Sequence, residues 1–365
     1  MSVRAWSILA MLSGAVACQG PRSRATIALS YPAWGGPYAA IAESLTGAAG
    51  RGALPPRIIY DSAAAQETSE GVLAWAERLR RMPDVVGVVG PSGSRVALAT
   101  APVFNAAGIP QVVPSATDRQ LRAAGPWTFM LAPGDSVEGV FLAGYIDRSV
   151  HARKVILFYE NDEFGQSLRQ SLLREFAGHG ISVLAQVAVF PNSDLEALLV
   201  ASLASGRPDA LVMATRETEA GVVARLAFDR LPGVPTVASD GALRPGRLVQ
   251  LAGAGLGNLR VVAFWVPDTT DARQREFIAT ARQVTGHDPD ADMGMIQDGI
   301  ALLAAAIDDV GPDRAAIREW LRSLGRERPA FPGLTGPISF GPDRAHTLAM
   351  VRVAPDGRII REPSR

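Results

Sequence analysis

A chain of 365 residues is long enough for two domains of ordinary size. Its 48% hydrophobic and 20% charged residues exclude a disordered or fibrous chain; 36 basic against 36 acidic residues, with no basic block, argue against nucleic acid as the main partner. One cysteine, Cys18, excludes an internal disulfide or a multi-thiolate metal site, and His151, His179, His287 and His346 lie too far apart for a helical ligand pair.

In chain order, the first feature is an export signal. Arg4 supplies a positive start, and residues 5–17 form a mostly apolar stretch of 13 residues. Spanning a bilayer takes about 20 residues, so the stretch suits a signal peptide and not a membrane helix. Ala15, Val16 and Ala17 precede Cys18, which resembles a bacterial lipoprotein signal whose cysteine becomes the lipidated N-terminus. The same residues fit ordinary A-x-A cleavage, and Ala15 stands where a lipobox usually carries Leu. The expected division is a signal at 1–17, a tether at 18–25 and a mature chain beyond.

Short apolar runs then alternate with helical patterns. Residues 26–30 (TIALS), 57–60 (RIIY), 85–89 (VVGVV) and 111–113 (QVV) read as buried strands, with helices between them at 38–49, 66–81 and 94–107. The rhythm continues with strands at 154–159, 182–189, 210–214 and 236–239 and helices at 164–179, 194–205 and 218–229. A long strand at 258–266 precedes three helical stretches, 271–285, 293–310 and 313–324, and hairpin-like strands at 336–340, 347–353 and 357–360 end the chain. Repeated β-α-β units predict an α/β fold of two Rossmann-like lobes, each a parallel sheet flanked by helices.

Enzyme motifs fail on inspection. Gly90-Pro91-Ser92-Gly93-Ser94 lacks the last glycine of a nucleophile elbow, and no histidine stands nearby in sequence. Gly253-Ala254-Gly255-Leu256-Gly257 precedes a strand instead of joining strand to helix, so it reads as a helix stop. Asp288, Asp290 and Asp292 lack the glycine and distal glutamate of a calcium loop and read as solvated surface. No catalytic residue, metal or cofactor is expected.

Residues 87–117 (GVVGPSGSRVALATAPVFNAAGIPQVVPSAT) resemble the signature stretch of the type I periplasmic binding proteins of the Leu/Ile/Val-binding family. Segments 125–139, 155–183 and 331–343 (FPGLTGPISFGPD) agree in order, so the resemblance covers nearly all of the mature chain. It implies two lobes joined by three crossovers around a ligand cleft, with lobe 1 formed by 26–136 and 267–335 and lobe 2 by 137–266 and 336–365. The crossovers are expected near 131–138, 264–267 and 336–338.

The resemblance also implies ligand contacts. Positions matching Ser94 and Thr117 hold a ligand carboxylate in amino-acid-binding members, Ser115 offers a further hydroxyl, and Asp240 matches the acidic partner of the ligand ammonium. Phe164 matches a cleft aromatic that is commonly Tyr, so one polar contact is missing. Tyr31 and Trp34 would wall the side-chain end; Arg216 would meet a second anionic group or pair with Glu217 in solvent. Plain capping by Ser94, Thr117 and Asp240 is the structural alternative. The implied protein is an envelope-located, substrate-binding lipoprotein of an ABC importer for branched-chain or related amino acids, with a permease and a Cys18 lipid anchor as partners. A ligand sensor, a degenerate envelope scaffold and an exported hydrolase are the competing classes.

Overall fold

The structure, a computed structural model, describes residues 25–30, 56–60, 69–341 and 347–363. Cys18, Tyr31, Trp34 and the helix expected at 38–49 lie outside the described residues. Two sheets organise the chain. The first contains β1 (Thr26–Leu29), β2 (Arg57–Tyr60), β3 (Val85–Val89), β4 (Gln111–Val113) and β5 (Thr128–Met130), all parallel, in the order β2-β1-β3-β4-β5. β1 and β3 are buried along their whole length, which explains their unbroken apolar runs. Helices α1 (Ser69–Leu79) and α2 (Ser94–Ala107) cover one face, with Trp75 meeting Phe104 edge-on at 5.7 Å between ring centroids. α2 ends at Gly108, whose φ of 62° closes the helix in a left-handed turn that a side chain disfavours.

The chain leaves this sheet through α3 (Asp135–Tyr145) and enters the second. β6 (Lys154–Glu160), α4 (Glu163–His179), β7 (Ser182–Val189), α5 (Leu195–Ser202), β8 (Ala210–Ala214), α6 (Glu217–Arg230), β9 (Thr236–Ala238), α7 (Pro245–Ala252) and β10 (Leu259–Ala263) follow. Aspartates cap α4 and α5: Asp162 accepts from the Gly165 N–H, and Asp194 from the Ala197 N–H. The sheet order is β14-β13-β10-β9-β8-β6-β7, where β13 (Ala349–Val353) and β14 (Ile359–Arg361) add antiparallel strands at one edge. Between β10 and β13, helices α8 (Ala272–Thr285), α9 (Ala291–Val310) and α10 (Arg314–Ser323) return to the first sheet. α9 and α10 pack on β3, and the Arg314 guanidinium donates to the carbonyls of Met82, Val85 and Ala107.

The parallel strands of the second sheet, read β7-β6-β8-β9-β10, repeat the winding order of the first. Each sheet therefore has a switch point between its first and third strands, where a crevice forms at the strand C-termini.

Apart from the helix expected at 38–49, outside the described residues, the expected strands and helices appear with ends moved by a few residues, and four elements not expected from periodicity are present: β5, α3, α7 and a two-residue strand at Phe331–Pro332. The strand expected at 336–340 shrinks to β12 (Pro337–Ile338), which pairs with β11 (Phe331–Pro332) in a separate two-stranded ladder. This segment packs on the first-sheet side: Phe340 meets Phe129 of β5 edge-on, and its N–H donates to the Leu324 carbonyl. The Leu334 and Thr335 N–H groups are held by the buried Asp298 carboxylate of α9.

Candidate functional site

A cavity of about 550 Å³ opens where the two switch points face each other. From the first sheet it receives Ser92, Gly93 and Ser94 after β3, and Ser115, Ala116 and Thr117 after β4. From the second it receives Phe164 after β6, Arg216 and Glu217 after β8, and Asp240 and Gly241 after β9. The two lobes thus contribute equivalent strand ends, but with opposite chemistry.

The first-sheet wall is built of hydroxyls and the N-terminus of α2. Gly93, not Ser94, is the N-cap of α2, and it offers no side-chain cap. Ser94 is instead the first helical residue, its buried Oγ accepting the Asp118 N–H at 3.4 Å. This rules out plain N-capping as its role. Ser115 Oγ reaches the Ser92 carbonyl only at 3.5 Å, and the buried Ser92 Oγ has no hydrogen-bond partner. A helix N-terminus with spare hydroxyls favours an anion.

The second-sheet wall is acidic. Asp240 opens a short 3-10 turn, and its N–H donates to Glu138 Oε1 at 2.9 Å. Glu138 lies on the first turn of α3 and is wholly buried. Burial, and then the neighbouring Asp240 charge, push its carboxyl well above the usual range. Burial likewise raises Asp240 to about 7, and raises the buried Asp135, on the same turn of α3, to about 6. Carboxyls held this close cannot all ionise cheaply, so this corner stores protons in the absence of a cation. One Asp240 oxygen has no hydrogen-bond partner.

Phe164 forms the apolar floor. Its ring packs so closely on Gly241 that a Cβ there would stand 2.9 Å from Cζ. The Arg216 guanidinium stacks over the ring, 5.1 Å from its centroid. Arg216 pairs with Glu160 and Asp162, not with Glu217 in solvent, because the end of β6 lies beside the end of β8.

The far end of the cavity departs from the sequence expectation. Asp288, Asp290 and Asp292, expected as solvated surface, are all buried. Asp290 caps α9 by accepting the Met293 N–H at 3.0 Å, and Asp288 pairs with Arg282 at 2.6 Å. Asp290 and Asp292 line the cavity and meet Arg244, which precedes α7 on the opposite lobe: Nη2 pairs with Asp292, and Nη1 stands 3.5 Å from Asp290. His287 closes the same end against Gly246. Sequence reasoning missed Glu138, Arg244, Asp290 and Asp292. A weak local signal existed for Asp290, since an aspartate three residues before an apolar helical run fits an N-cap.

All six described candidates, Ser94, Ser115, Thr117, Phe164, Arg216 and Asp240, therefore line one cavity.

A family profile described as periplasmic binding protein matches residues 8–357. An amino acid binding protein of Pseudomonas aeruginosa is 24% identical over 334 residues, covering 88% of this chain and 86% of the relative. Among solved structures, a leucine-binding protein, LivK, from Thermotoga maritima superposes with a TM-score of 0.82 at 20% identity, over 93% of this chain and 98% of that one. A solute-binding protein of an ABC transporter from R. palustris, in complex with 4-hydroxybenzoate, gives a TM-score of 0.81 at 16% identity, over 93% and 96%. The fold is that of the type I periplasmic binding proteins. With the profile spanning nearly the whole chain, this protein belongs to the periplasmic binding protein family and is a binding protein, not an enzyme.

Proposed function

We propose that the protein is the extracytoplasmic substrate-binding component of an ABC importer, taking an amino acid or a closely related zwitterion between its lobes. The observation that carries this reading is the polarity of the cavity. Hydroxyls and the α2 N-terminus stand on one wall, and the Asp240 carboxyl stands on the other. A ligand carboxylate suits the first wall and an ammonium the second, and each hydrogen bond to a charged group contributes about 1.5–3 kcal/mol. The relatives named for amino acid and leucine binding support the same class.

Ligand binds first to the lobe carrying Ser94, Ser115 and Thr117; contacts from Asp240 and Phe164 then favour closure. The ligand shifts the open–closed equilibrium only by its differential affinity for the closed form. The crossings near 131–138 and 264–267 act as the hinge. We place the third after Phe340 and not at 336–338, because Phe340 still packs on β5. The closed form is what a permease recognises. Cleavage before Cys18 and its lipidation keep the protein at the membrane surface.

Thermal unfolding of the purified protein against amino acids, amides and small carboxylates tests the proposal. A ligand at 100 times its Kd adds about 2.7 kcal/mol of stability. A shift with amino acids that disappears when either the carboxylate or the ammonium is removed supports the reading. A shift only with carboxylates lacking an amine overturns the role given to Asp240.

A further inference from the structure

The carboxyl that meets the ligand ammonium in the reading above does not stand alone. Asp240 lines the cavity and is partly exposed; Glu138, on the first turn of α3, lies wholly buried against it. Glu138 Oε1 accepts the Asp240 N–H at 2.9 Å. The two carboxyls also stand within hydrogen-bonding reach of each other, a contact open to them only when one carries a proton. Glu138 Oε2 and Asp240 Oδ1 are buried and have no other hydrogen-bond partner. As two charges out of water these oxygens are costly; as an acid and its acceptor they satisfy each other.

We propose that Glu138 is a positioning residue for the ligand ammonium, acting through Asp240. It stays a neutral acid, accepts the Asp240 N–H with one oxygen and donates from the other to the Asp240 carboxylate. This rests on the amino acid reading above. In the empty protein Asp240 holds a proton of its own; when the ammonium arrives, that O–H bond breaks, the proton passes to water, and the carboxylate pairs with the ligand. No bond of the ligand changes.

The surroundings favour this order of events. Arg244 is the cation that acts on Asp240, but it pairs with Asp290 and Asp292. Asp292 from α9 and Asp135 from the same turn of α3 disfavour ionisation of Asp240, and Asp118 and Asp162 do the same to Asp135. Burial, and then the Asp240 charge, hold Glu138 well above the usual carboxyl range. Burial raises Asp240 only to about 7, because the hydrogen bond with Glu138 acts against it. Asp240 therefore ionises first, and Glu138 keeps its proton as the donor. Below about pH 7 the empty protein holds a proton that the complex lacks, so affinity rises with pH and levels off above that value.

Isothermal titration of the purified protein with each of the standard L-amino acids, at pH 5.5, 6.5 and 7.5, tests this. Those that bind wild type should bind about 5- to 10-fold more tightly at pH 6.5 than at pH 5.5. Glu138→Ala removes both contacts to Asp240. It should weaken binding at pH 7.5 about tenfold or more and carry the rise to higher pH, since Asp240 loses the bond that favours its charge. Glu138→Gln keeps an acceptor and a donor in the same shape and should restore both affinity and profile. Where Glu138→Ala folds poorly, Glu138→Leu fills the space without polar atoms and takes its place. A glutamine variant as weak as the alanine one overturns the neutral-donor role. So does an alanine variant that loses affinity equally at every pH, the behaviour of a merely structural glutamate. A flat wild-type profile overturns the proton release. All three outcomes leave the amino acid reading standing, whereas binding of none of the amino acids overturns that reading, and this role with it.

Discussion

Replacing Asp240 by asparagine separates charge from shape at the centre of the cleft. Burial raises the Asp240 carboxyl from 3.8 to about 7 in the folded protein. Between those values the folded state binds more protons than the unfolded chain, so stability falls as pH rises. From pH 5 to pH 8 the wild-type carboxyl crosses about two units of that gap, worth on the order of 3 kcal/mol. Its partial exposure to the cleft reduces this to about 2 kcal/mol. The asparagine has the same shape, carries no charge at either pH and can donate to Glu138. Its stability advantage over wild type should therefore widen by about 2 kcal/mol between pH 5 and pH 8. Urea unfolding of the ligand-free proteins at both pH values measures the gap. A gap that stays constant, or that narrows at pH 8, would refute the burial argument. The same variant should lose the ammonium partner and bind amino acids more weakly, so stability and affinity move in opposite directions.

Other perturbations report on neighbouring parts of the site. Arg244→Ala leaves Asp290 and Asp292 without their partner from the opposite lobe; breaking a buried pair costs about 3–5 kcal/mol. The empty protein should open, seen as a larger radius of gyration in small-angle X-ray scattering, and an unchanged radius would show that the pair does not hold the lobes together. Ser94→Ala removes a hydroxyl from the anion wall and should weaken amino acid binding about tenfold with little change in ligand-free melting temperature; a large loss of ligand-free stability would point instead to a structural role through Asp118. Gly241→Ala drives a methyl to 2.9 Å from the Phe164 ring and must displace it. Equilibrium titration should show weaker binding for this variant, and wild-type affinity would mean that the ring position is not used by the ligand.

Much of the architecture was legible because parallel strands buried on both faces must be continuously apolar. Val85–Val89 and Ala210–Ala214 fit that constraint by local composition alone, and both are fully buried. The elements that escaped have local reasons for doing so. β5 has only three residues, too few for a period. α3 places buried Asp135 and Glu138 on its first turn, so its polar residues read as exposed loop. α7 begins at Pro245 and runs for only eight residues. The motif-borne candidates Ser94, Thr117 and Asp240 were readable because each follows a strand end, and a parallel sheet brings such ends to one edge.

The sequence by itself determined two α/β windings and the strand-end residues facing a common crevice, because both follow from short-range pattern and the handedness of β-α-β units. Tertiary structure alone decided the chemistry of the crevice's far end. Asp290 and Asp292 look like solvated loop until Arg244, 48 residues before Asp292, arrives from the other lobe and buries them. Glu138 becomes part of the site only because Asp240, 102 residues further on, donates its backbone N–H to it. Whether a carboxylate is surface or site depends on what covers it, and here the covering groups lie on another lobe, beyond any local pattern.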